Sequence, residues 1–122
     1  MYIKCDLCNY QLEEMLWSEG YRFYNRLSEH DKTAVLDCLE RYYNDIGETP
    51  ALTDINDLFW FEPNTVFQMC VEYGLYIECL NEAICIYDEM PDNYEDKAYL
   101  EQALFEGKYE DLLWLTVWRK YV

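Results

Sequence analysis

The sequence predicts a mainly α protein, one domain of 122 residues forming a compact bundle of about five to seven helices. Three observations predict it. Apolar residues recur at helical spacing along most of the chain. The sparse punctuation, four Gly and three Pro, falls largely between those stretches. Ser28, Thr53 and Asn64 stand where helices want side-chain caps.

Residues from Tyr10 to Leu27 read as the first helical region, with Leu12, Leu16, Phe23 and Leu27 near one face. Gly20 weakens its middle, and Ser18 offers a cap for a restart. Ser28 then caps a second helix, whose first turn carries Glu29 and Asp31, where carboxylates complement the helix dipole. Val35, Cys38, Leu39, Tyr42 and Ile46 form its apolar stripe, and Gly47 ends it. After a turn at Glu48-Thr49-Pro50, Thr53 caps a short helix through Phe61, which Pro63 stops. Asn64 caps the next, Thr65 to Tyr73, closed by Gly74.

Between Leu75 and Tyr87, the positions Tyr76, Leu80, Ala83, Ile84 and Tyr87 fit a helix, but the run 83–87 fits a buried strand equally well. The apolar run 112–118 has the same ambiguity, so a short strand pair from residues 83–87 and 112–118 stays open. Pro91-Asp92-Asn93 is a turn. A helix to Phe105 follows, closed by Gly107, and a segment from Tyr109 to Tyr121 finishes the chain.

Charge is the strongest bulk signal: 25 Asp and Glu against 9 Lys and Arg, a net −16. No basic residue occurs between Arg41 and Lys97, an interval that holds thirteen carboxylates. Direct nucleic-acid binding is disfavoured, because a phosphate-binding face needs Lys and Arg to displace counterions. A basic partner protein fits instead, with Glu72, Glu78, Glu82, Asp88, Glu89, Asp92, Glu95 and Asp96 as candidate contacts. Thirteen Tyr, five Phe and four Trp suit both a core and a contact surface.

Catalytic signals are weak. The single histidine, His30, lies between Glu29 and Asp31 in a first helical turn and reads as a solvated residue rather than a general base. No Gly-rich phosphate loop or EF-hand spacing is present, and adjacent carboxylates such as Glu13-Glu14, Asp88-Glu89 and Glu95-Asp96 follow from composition. Cys5 and Cys8 have the spacing of half a zinc ribbon, but Cys38, Cys70, Cys79 and Cys85 form no second C-x-x-C. The reading is therefore not an enzyme, with no metal or cofactor. The start of the chain, MYIKCDLCNYQLEE, has no apolar signal core, and Leu112 to Trp118 is too short to cross a bilayer. A cytoplasmic protein with reduced thiols is expected.

The stretch Thr53-Asp54-Ile55-Asn56-Asp57-Leu58-Phe59-Trp60-Phe61-Glu62 resembles a T-x-x-N-D-[LF]-x-W-F-E segment of small acidic proteins from bacteriophages and mobile elements of Gram-positive bacteria. Trp17-Ser18 is similar to the pair that opens the same module, although Glu19 stands where a Gly is usual. The resemblance covers roughly residues 15 to 73. It implies a setting in which inhibitors of bacterial immunity, anti-CRISPR proteins among them, are found. It brings no catalytic residues; Thr53 as a cap, and Leu58, Trp60 and Phe61 as core, are expected to be structural. The resulting expectation is a phage-encoded anti-CRISPR-type inhibitor in the bacterial host cytoplasm. Its carboxylates would replace phosphates in the basic groove of a Cas effector nuclease. The alternative is a structural or regulatory phage protein that self-associates, for example as a homodimer.

Overall fold

The computed structural model describes residues 18–48 and 52–121. Among them are seven α-helices, a terminal 3-10 helix and no strand. The helices are α1 (Ser18–Asn25), α2 (Glu29–Ile46), α3 (Leu52–Phe61), α4 (Pro63–Glu72), α5 (Glu78–Glu89), α6 (Lys97–Glu106) and α7 (Tyr109–Thr116), followed by the 3-10 turn Trp118–Tyr121. The expected helical bundle is therefore present. The runs 83–87 and 112–118 are not a strand pair: the first lies within α5 and most of the second within α7. The outer part of the first expected helix, residues 10–17, lies outside the described residues.

Helix α2 forms as its sequence predicts. The Ser28 hydroxyl accepts a hydrogen bond from the Asp31 amide at 3.2 Å, satisfying one of the unpaired N–H groups of the first turn. Gly47 ends the helix at φ 70°, where a side chain is disfavoured, while the Glu48 amide reaches back to the Tyr43 carbonyl. Its buried stripe is Val35, Cys38, Leu39 and Tyr43; Tyr42 is half-buried and Ile46 exposed, a shift from the expected stripe.

Two expected caps are displaced. Thr53 lies inside the first turn of α3, which begins at Leu52. Asn64 is not the cap of α4: that helix starts at Pro63, whose missing N–H would have been unpaired there in any case. Gly107 closes α6 for two reasons, a φ of 72° and a close approach, since a Cβ would stand 2.8 Å from Gln68 Nε2. That amide instead donates to the Gly107 carbonyl at 3.0 Å.

Packing sorts the helices into neighbouring pairs. Helix α1 lies on α3, α2 on α4, and α7 is shared by α5 and α6. Buried side chains from all seven helices join one core. Its centre is aromatic: Phe23 touches Phe59, Phe67 and Trp118 with centroids 5.2–6.0 Å apart, and Tyr24 stacks on Phe59. The 3-10 turn delivers Trp118 into that cluster. Among the described residues no helix is long and apolar enough to cross a membrane.

Candidate functional site

The start of α5 shows how acidic residues serve the fold itself. Helix α5 has Ile77 at its cap position and gains no side-chain bond from it. Asp31 of α2 supplies the missing acceptors: its Oδ1 takes the Glu78 amide at 2.7 Å and its Oδ2 the Cys79 amide at 3.0 Å. The carboxylate is 1% exposed, and its charge meets the positive end of α5. Burial, with Asp31 beside it, pushes the Cys79 thiol well above the usual range. Ser28 links the same two helices by donating to Glu78 Oε2 at 3.0 Å. His30 braces the adjoining loop, with Nε2 3.0 Å from the Tyr76 carbonyl, an arrangement in which that nitrogen donates. Asn64 acts likewise at α7, where its Oδ1 accepts the Glu110 amide at 2.5 Å.

Past its buried start, α5 turns an acidic face to solvent. Glu78, Glu82, Asp88 and Glu89 are exposed and share one stripe with Asn81 and Cys85, because the spacings of three, four, seven and eleven return to one side of a helix. Asp92 and Glu95 continue it as exposed residues of the following turn, and Asp96 is half-buried just before α6. Glu72 stands apart from the stripe, exposed at the end of α4.

This acidic interval, free of cations in sequence, does receive them in space. Lys120 reaches Glu82 at 3.2 Å. Lys97 donates to the carbonyls of Tyr87 and Met90, the latter at 3.0 Å, and its ammonium lies 4.0 Å from the Tyr87 ring centre. A cation at the C-terminus of α5 complements the dipole there.

A second acidic region lies elsewhere. Between the C-terminal half of α2 and α3 is a cleft of about 520 Å³. Tyr42, Tyr43, Ile46, Leu58 and Phe61 line it, with Glu48, Asp54, Asp57 and Glu62 among them. The Tyr43 phenol is pushed up first by burial, then by the charges of Asp54, Tyr42 and Glu48. Phe61 is 70% exposed and stacks on the exposed Trp60 ring at 5.3 Å. Neither is core, contrary to the expectation for this segment. Ile55 and Phe59, four positions apart, take the inward side of α3, and that turns Asp57, Trp60 and Phe61 outward. The Ile55–Phe59 spacing was the available signal for this arrangement.

Among the described residues no group of three or more His, Cys, Asp or Glu is disposed to hold a metal ion; Cys5 and Cys8 lie outside them. Cys38, Cys70 and Cys79 are buried free thiols, and the Cys70 thiol is pushed up by its hydrogen bond with Cys38 and by burial. Compared with known protein families, curated proteins and solved structures, the chain matches none.

Proposed function

We propose that the protein acts by binding, presenting the acidic face of α5 to a basic nucleic-acid-binding groove of a partner protein and so keeping nucleic acid out. The observation that carries this reading is the stripe of Glu78, Glu82, Asp88 and Glu89, continued by Asp92 and Glu95. Glu78 and Glu89 lie about 16 Å apart along the axis at 1.5 Å per residue. One DNA strand carries about five phosphates in that length. The two charge densities are comparable, and carboxylates fixed on a helix meet a basic groove without the counterion atmosphere of nucleic acid. The resemblance to phage-borne acidic proteins makes a Cas effector nuclease the first partner to test.

The test is capture of the effector by the full chain from a CRISPR-bearing host lysate, followed by nucleic-acid competition with the purified pair at rising salt. Binding should exclude nucleic acid and weaken steeply with ionic strength. A variant combining Glu82→Gln, Asp88→Asn and Glu89→Gln should lose most of the inhibition. Inhibition that persisted unchanged in high salt would rule out the phosphate-replacing mechanism.

A further inference from the structure

We propose that the cleft between α2 and α3 is a separate docking site for a cationic amphipathic segment of a partner protein, one pairing Lys or Arg with a large apolar side chain. The inference stands independently of the role given to α5. Its starting point is an apolar surface the fold leaves uncovered. Phe61 is 70% exposed, Trp60 stacks flat against it and Ile46 is exposed nearby on the cleft wall. Chain geometry holds Phe61 there: α3 ends at this residue and Pro63 begins α4, so no later turn of α3 exists to cover the ring. Stacked aromatics with a polar surround match the centre of a protein interface.

Charge selects the occupant. Glu48, Asp54, Asp57 and Glu62 line the same cleft, and among the described residues no Lys or Arg lines it. Arg41, the nearest cation in sequence, is turned back onto Asp37 at 3.1 Å. A second copy of the chain would bring a net −16 to an acidic rim. The chain's own first seventeen residues carry Asp6, Glu13 and Glu14 against Lys4 alone, so they too are mismatched. A cationic segment is complementary: its apolar side chain covers Phe61, while its ammonium or guanidinium groups meet the carboxylates and the faces of Tyr42 and Trp60.

The experiment titrates the full chain with a synthetic amphipathic peptide carrying Lys and Arg on one helical face and Leu on the other. Calorimetry follows affinity, and the indole N–H resonances follow the site. One-to-one binding with a shift of the Trp60 indole is expected. Phe61→Ala should weaken it by about tenfold or more, as for truncation of a central contact, with the melting curve unchanged. Asp57→Asn with Glu62→Gln should weaken it and flatten its salt dependence. Three results would overturn the proposal: no peptide binding; binding that survives Phe61→Ala but is lost when the α5 carboxylates are neutralised; or a concentration-dependent dimer that Phe61→Ala abolishes.

Discussion

The two ends of one helix show what acidity does in this protein. At the start of α5 a single buried carboxylate, Asp31, accepts two backbone amides and ties α2 to α5. Along its outer face four carboxylates face solvent, and one of them, Glu82, meets a lysine, Lys120. The chemical group is the same, but the consequences are opposite. Buried and doubly hydrogen-bonded, a carboxylate holds the fold; exposed beside its like, it repels its neighbours and adds negative charge to the surface. Net charge alone therefore says little about either role.

This contrast can be broken by mutation, and the largest effect is expected at Asp31. Asp31→Ala leaves two amides without acceptors in a buried place and should cost about 3 kcal/mol or more in urea unfolding. Asp31→Asn should fall between, because one oxygen still accepts while the amide NH2 faces an N–H donor. Asn64→Ala, which removes a single remote cap from α7, should cost about 1 kcal/mol by the same measurement. Neutralising Glu82, Asp88 and Glu89 together should leave stability within about 0.5 kcal/mol of the parent, since these are surface positions. A loss as large as that at Asp31 would erase the distinction between the two regions. Lys120→Ala should change stability by no more than about 0.5 kcal/mol, the usual size of an exposed ion pair.

The smallest effect is a titration. The Tyr73 hydroxyl donates to Asp45 at 2.8 Å, and that bond to a carboxylate pushes the phenol up to about 12. A raised value means that the folded state holds the proton more tightly than the unfolded one. Its contribution is complete below the ordinary phenol value and is lost as pH rises toward 12. Tyr43, Tyr87 and Tyr99 are also pushed up, so ultraviolet titration should show a late group of tyrosines, from which Asp45→Asn returns Tyr73 toward the ordinary value.

The residues divide clearly in what they disclose alone. Ser28, Gly47, Gly74 and Gly107 mark helix ends that are read directly, because capping and positive φ act within a few positions of the residue itself. Helical spacing likewise predicts the bundle. The acidic interval was equally legible, including the carboxylates that α5 gathers onto one stripe. Trp60 and Phe61 lie outside the core, against the expectation from their aromatic type, because the phase set by Ile55 and Phe59 decides which side of α3 turns inward.

By itself, then, the sequence determined the class of fold, most helix boundaries and the sign of the surface, since each rests on local backbone preferences or on composition. Tertiary structure alone decided that Asp31 and Asn64 cap helices beginning more than forty residues away. It also brought Lys120 to Glu82, made 83–87 helical rather than extended, and left Phe61 uncovered beside an acidic cleft. These outcomes depend on which surfaces dock. A hydrogen bond or charge contact between distant segments exists only after the core has chosen their mutual orientation.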